Sequence, residues 1–299
     1  MRLSDIALFR VLFSAQRLRL YVWLSLASQI LIVVTGGLVR LTGSGLGCPT
    51  WPKCTDDSFT TTPEMGIHGF IEFANRTLTG VLAIIAILTF VAVWKNPERT
   101  VRGLLAPAFG LPLGIVAQIV LGGLTVRTKL NPWLVGGHFI ISAVMIAAAS
   151  VLVWRALDRP QLFVPEFVYR LSWPIVLFGA ITVVVGVLVT GAGPHSGDAN
   201  SARNGLDLEV WQHYHSYPAY ALLLLVALQL VSLWRTDAGR ASLPTKISGL
   251  LLVVLVLQAV VGVVQARLGV PPLLVGVHML GASCLVSLLT FNYLALTAK

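Results

Sequence analysis

Eight apolar runs, each about twenty residues or longer, constrain this chain more than any other feature. They occupy roughly 21–41, 68–94, 103–127, 133–155, 171–191, 209–234, 246–267 and 272–296. A helix rises about 1.5 Å per residue, so about twenty residues cross the roughly 30 Å hydrocarbon core of a bilayer. Inside that core every backbone N–H and C=O needs an internal partner, which leaves helices or closed barrels. Runs this long predict an all-α integral membrane protein with eight transmembrane helices. Gly and Pro interrupt some of them, as membrane helices tolerate. Composition agrees: 56% of residues are hydrophobic and only 11% charged, where a soluble domain carries about 25%.

The net charge of +9 does not point to nucleic acid, because the basic residues lie between apolar runs and act as topology signals. An even number of spans puts both termini on one side. With that side as the cytoplasm, fourteen of the 21 Lys and Arg fall inside, among them Arg2, Arg10, Arg240 and Lys299, and seven outside. The positive-inside rule then predicts a multi-pass protein of the cell membrane with both termini cytoplasmic. Residues 1–20 are basic and amphipathic and lead into a full-length span, so no cleavable signal peptide is expected.

The two halves of the chain resemble each other. "QIVLGGLTVRTKLNPWLVGGH" (Gln118 to His138) aligns without gaps on "QAVVGVVQARLGVPPLLVGVH" (Gln258 to His278), at an offset of 140. Gln118 meets Gln258, Gly122 meets Gly262, Arg127 meets Arg267 and His138 meets His278. "VVTGGLVRLTGSG" resembles "VVVGVLVTGAG" with a two-residue gap. Four spans per half make the repeat parallel, with a pseudo-two-fold axis along the membrane normal. Two pseudo-symmetric four-helix bundles are expected, residues 1–158 and 159–299.

"IHGFIEFANRTLTG" opens the second span with His68, Glu72, Asn75 and Arg76 at i, i+4, i+7 and i+8, which is one helix face. The repeat pairs Glu72 with Gln212, Asn75 with His215 and Arg76 with Ser216. The second half therefore has two histidines in register, His215 and His278, whereas the first has His138 opposite Asn75. Ionisable groups within a span usually face the bundle interior and mark function. Two neutral imidazoles from facing helices suit bis-His haem ligation. They suit zinc poorly, since zinc takes four ligands or three plus water. Gly276, Gly281 and Ala282 around His278, and Gly136 and Gly137 before His138, leave room for a flat macrocycle. His213 lies about 200° from His215 around the helix and is expected at the interface. Arg127 and Arg267 have two readings, pairing with haem propionates or anchoring to lipid headgroups. Arg76 lies deeper and needs an anionic partner, a propionate or Glu72.

"GCPTWPKC" places Cys48 and Cys54 in the first outer loop. A disulfide is the leading reading there and a redox-active thiol pair the other. Cys284 reads as an inert core residue of the eighth span. The loop Thr190 to Glu209 is long for a bundle, and its His195 and Asp198 read as solvated.

Taken together, the eight spans in two like halves, "RLTGSGLGCPTWPKC", "IEFANR", "GGH" and "GVH" resemble the haem A synthase family, in the style of an actinobacterial member. The resemblance covers nearly the whole chain. It implies oxidation of a porphyrin methyl of haem O to a formyl group, giving haem A for cytochrome c oxidase. It implies a haem b cofactor in the C-terminal half, ligated by His215 and His278 with Arg267 nearby. It implies a haem O substrate site in the N-terminal half at His138, Asn75, Arg76, His68 and Arg127, with Glu72 catalytic. Implied partners are haem O synthase, a quinol or other electron donor, and membrane lipid; a homo-oligomer is compatible with such a chain. The chain departs from the usual pattern at one position, since the family commonly reads Glu-x-x-His-Arg where this chain reads "EFANR". Either His68, about 10 Å along the helix from Asn75, fills the gap, or His138 is the sole protein ligand.

Two other classes fit parts of the pattern. A dihaem b-type cytochrome would want bis-His sites in both halves, which Asn75 denies. A transporter with a parallel repeat explains the spans but neither the histidine register nor the Cys loop.

Overall fold

The computed structural model describes residues 14–159, 161–236 and 242–298. Arg2, Arg10, Arg240, Lys299 and the amphipathic stretch before residue 14 lie outside the described residues. The long helices are α1 (Ala15–Leu41), α2 (Gly66–Lys95), α3 (Leu105–Arg127), α4 (Pro132–Ala156), α5 (Ser172–Ala192), α6 (Leu208–Trp234), α7 (Leu243–Arg267) and α8 (Pro272–Leu294). All eight are long and apolar enough to cross a membrane. Large apolar side chains such as Leu31, Ile84, Val116, Leu224 and Val253 point outward, as lipid-facing surfaces require.

Local chemistry sets the helix ends. Ser14 caps α1, Asn131 caps α4 and Asp207 caps α6, each accepting a bond from a backbone N–H in the first turn. Pro132 and Pro272 begin α4 and α8, where the missing N–H costs nothing. The first helix starts six residues before the apolar run. Gln16, Arg17 and Arg19 are too polar to score as membrane, yet Ser14 caps them into the helix. The eighth helix stops at Leu294, two residues before the end of its apolar run, because Leu296–Ala298 pairs in parallel with Leu162–Val164 from the linker between the halves. Three-residue strands carry no periodicity that a sequence could reveal.

The helices close two rings. In the first, α1 packs on α2, α2 on α3, α3 on α4 and α4 on α1; in the second, α5 to α8 do the same. Between the rings α4 meets α8, α1 meets α8 and α4 meets α5, which is a two-fold arrangement with α4 and α8 beside the axis. There Ser150 Oγ donates to Ser287 Oγ at 2.9 Å, both buried. Lipid tails are as apolar as Leu, so packing and such interhelical bonds hold membrane helices together.

The repeat extends to atomic detail. Leu130 N–H donates to Thr125 C=O and Val270 N–H to Gln265 C=O, both at 2.7 Å and both offset by 140. Lys129 and Leu130 have φ of 52° and 61°; Gly269 and Val270 have 74° and 63°. The left-handed pair lets each chain reverse within a few residues, so α4 and α8 enter their bundles alike.

Candidate functional site

The histidines of the spans, Glu72 and Arg76 lie toward the end of the bundles that carries the Cys48–Cys54 loop. In the second bundle the rings of His215 (α6) and His278 (α8) face each other, with centroids 6.3 Å apart and planes at 74°. Both Nδ1 atoms are buried without a partner. An iron held at about 2 Å from one nitrogen of each ring would put the ring centres about 6 Å apart. Among the described residues no cluster of three His, Cys, Asp or Glu could hold a metal ion, so zinc remains a poor fit. A Cβ on Gly186 of α5 would lie 2.8 Å from His215 Cε1, and one on Gly262 of α7 would lie 3.5 Å from His278 Cε1. Two imidazoles at this spacing, flanked by two glycines, fit a flat bis-His macrocycle. His213 is exposed on the other side of α6. Arg267 is exposed at the end of α7. Beside it Arg203, Glu209, Gln212 and Val270 help line a cavity of about 430 Å³.

The glycines that make this room differ from those expected. Gly276 faces Leu41, Gly136 faces Val187 and Gly281 faces Gln258. The first two serve the interface between the bundles. Gly281 clears the path by which Gln258 Nε2 donates to the carbonyl of His278 at 2.9 Å. The relevant glycines sit on neighbouring helices, which sequence proximity to the histidine does not identify.

The first bundle repeats this scheme with changes. Gln118 Nε2 donates to the carbonyl of His138 at 3.0 Å, the counterpart of the Gln258 bond. Gln118 Oε1 also meets His138 Nδ1, which assigns the proton to Nδ1 and leaves Nε2 with its lone pair unprotonated. A Cβ on Gly122 would lie 3.6 Å from that Nε2. Across the bundle, Gly36 is to Asn75 as Gly186 is to His215: its Cβ would stand 4.0 Å from Asn75 Nδ2. Asn75 Oδ1 accepts from Thr35 Oγ1 at 2.8 Å. His68 is exposed, and its Nδ1 bonds Ser44 Oγ at 2.9 Å.

Glu72 and Arg76 organise the loop above. Glu72 is 6% exposed. Its Oε2 accepts from Cys48 N–H at 2.6 Å, and its Oε1 accepts from Arg76 Nε at 3.1 Å and from Nη2. Arg76 sends Nη1 to the carbonyls of Thr50 and Lys53 and Nη2 to that of Cys48. All five of its N–H groups are thereby used. Of the two partners expected for Arg76, Glu72 is the one present. Cys48 and Cys54 form a disulfide and are both buried. Arg127 lies over the Trp51 ring and reaches the Trp51 carbonyl.

Three features escaped the sequence reading. Arg40, at the end of α1, donates from Nη2 to Thr190 C=O at 2.5 Å and from Nε to His195 C=O. Gly45 N–H donates to Gly197 C=O at 2.8 Å, and His195 Nε2 bonds Val270 C=O at 2.8 Å. The loop holding His195 and Asp198 is therefore pinned across both bundles rather than solvated. Arg40 alone in an otherwise apolar helix end was the available signal. The Gln118–His138 contact is the second, signalled only by a Gln within a span. Cys284 is free and half-buried, not fully enclosed.

The chain matches the COX15-CtaA family, described as cytochrome oxidase assembly protein, over residues 19–290. It is 26% identical to the haem A synthase of Alkalihalophilus pseudofirmus, over 75% of this chain and 78% of that one. It is 26% identical to the haem A synthase of Bradyrhizobium sp. strain ORS 278, over 91% and 89%. With the haem A synthase of Bacillus pumilus it shares 30% identity over 55% of this chain and 54% of that one.

Proposed function

We infer the function from family membership: this chain belongs to the COX15-CtaA family of cytochrome oxidase assembly proteins. It is a multi-pass membrane oxidoreductase that converts haem O to haem A. The observation that carries the reading is the unequal pair of sites, one with two facing histidines and one with a single histidine, Asn75 in the place of the other and the buried Glu72 one turn away on the same helix.

In the C-terminal bundle, His215 and His278 would hold a haem b, with Gly186 and Gly262 letting their imidazole rings pack close against α5 and α7. A bis-His haem supplies one-electron transfer when bound. Arg267, at the same end of the bundle, is placed to meet a propionate. The N-terminal bundle would receive haem O, with His138 Nε2 as axial ligand and Gln118 fixing its tautomer. Arg127 and His68 line the mouth of this site.

Glu72 is the candidate catalytic residue. A carboxylate offers about four acceptor positions, and Cys48 N–H and Arg76 fill three of those on Glu72. The remaining one, on Oε2, is available to a hydroxyl on the substrate rim. Turning a methyl into a formyl group removes four electrons; with dioxygen as oxidant and two electrons from an external donor at each step, two hydroxylations give an alcohol and then a hydrated aldehyde that loses water, and the second oxygen atom of each dioxygen leaves as water. Glu72 would orient those hydroxyls and take up their protons. Arg76 spends its donors on the loop and on Glu72, so its part is to position Glu72.

Both termini on the cytoplasmic face, an actinobacterial-type placement, haem O synthase as supplier and a quinol as electron donor belong to the same reading. Its test is Glu72→Ala in the purified protein. The haem b spectrum should persist while haem A formation falls about 100-fold or more; unaltered turnover would remove Glu72 from the chemistry. Absence of any haem absorbance in the native protein would favour transport instead.

A further inference from the structure

We propose that the substrate haem iron has one protein ligand, His138, and that Asn75 leaves its opposite face open to a small exogenous ligand. The inference rests on the haem O site described above and deepens it.

Gly36 stands beside Asn75 as Gly186 stands beside His215, so Asn75 occupies the place of a ligand. It has no imidazole to offer. Its Oδ1 is committed to Thr35 Oγ1 at 2.8 Å, and Nδ2, the atom nearest Gly36, is a donor without a lone pair. An amide is also shorter than an imidazole, so the space that His215 fills in one bundle stays free in the other.

His68 does not fill it. Seven residues of helix separate it from Asn75, about 10 Å along the axis. Its Nδ1 is bonded to Ser44, whose Oγ continues to Thr42 Oγ1 at 2.7 Å. Its backbone is in direct contact with Gly47, where an added Cβ would strike the His68 carbonyl. His68 thus holds the Gly-rich turn at the mouth. On the other face, His138 is fixed by Gln118 through both its ring and its carbonyl. The result is a site with one rigidly held imidazole and, in the place of the second, an amide whose N–H₂ is a donor suited to hydrogen-bond a small iron-bound molecule. In the second bundle His215 and His278 would both hold the iron, and no such opening would remain.

The test uses full-length protein loaded with haem O, carbon monoxide as the probe of the ferrous form, and optical and electron paramagnetic resonance spectra. Two haems per chain are expected, one low-spin and inert to carbon monoxide, the other high-spin and reactive. Asn75→His should turn the second haem low-spin and cut its carbon monoxide binding at least tenfold, with the first haem's spectrum unchanged as the control for folding. His138→Ala should lose the second haem alone. A native second haem that is low-spin and becomes high-spin in His68→Ala would overturn the proposal. A native protein that takes up only one haem, or whose second haem survives His138→Ala, would overturn the substrate-site reading itself.

Discussion

The carboxylate of Glu72 accepts the backbone N–H of Cys48 at 2.6 Å, which ties the candidate catalytic group to one end of the Cys48–Cys54 loop. Arg76 completes the tie from the other side by bonding the carbonyls of Cys48, Thr50 and Lys53. A loop of five residues between two cysteines has little persistent structure of its own. Here its shape is read out by an ion pair on α2, and the position of Glu72 depends on it in turn.

Opening the loop should therefore act on the first bundle alone. In Cys48→Ser/Cys54→Ser, haem A formation should fall at least tenfold while the low-spin haem spectrum keeps its position and intensity. The readout is the ratio of haem A to haem b in extracts. Equal loss of both haems would mean that the loop stabilises the whole chain.

Arg76→Lys tests the same tie by geometry rather than charge. Lysine keeps the cation but cannot supply five donors in a planar fork. The substitution should cost about 2–3 kcal/mol of stability, the range for losing bonds from a charged donor to buried acceptors. Thermal unfolding in detergent measures it, and faster reduction of the disulfide should accompany the loss.

The glycine cradles make a steric prediction. In Gly186→Leu the first added carbon would already lie 2.8 Å from His215 Cε1. Overfilling a packed site typically costs about 1–3 kcal/mol, and here it also pushes the His215 ring out of its place opposite His278. Haem b occupancy should drop about tenfold, with the helical circular dichroism retained. Gly249 of α7 meets nothing within 4 Å, so Gly249→Ala should leave occupancy unchanged.

Much of this was legible in the chain. The spans follow from bilayer thickness, and the repeat follows from polar and Gly residues that apolar periodicity does not demand. Gln118 and Gln258 align in sequence and then make the same bond to the carbonyl of a histidine twenty residues on. What stayed hidden depends on neighbours distant in sequence. Gly186 and Gly262 belong to the histidines across a helix interface, and no spacing rule connects them. The partner of Arg40 lies 155 residues away, at His195. The short strands at 162–164 and 296–298 exist only because the linker meets the end of α8.

Arg40 carries its own consequence. It bonds two carbonyls of the other bundle, one of them in the last turn of α5, where a cation also complements the negative end of the helix dipole. Arg40→Ala should lower the stability by about 2–3 kcal/mol, seen as a lower thermal midpoint in detergent. At low temperature the His215–His278 haem spectrum should be intact, since Arg40 touches neither ring.

Haems extracted from cells that express this chain together with a haem O synthase, and resolved by mass, measure the central claim. The account predicts accumulation of haem A, lost in Glu72→Ala while haem b remains with the protein. Haem b and unconverted haem O alone, from a native chain that carries its full low-spin spectrum, would contradict it and leave a cytochrome in its place.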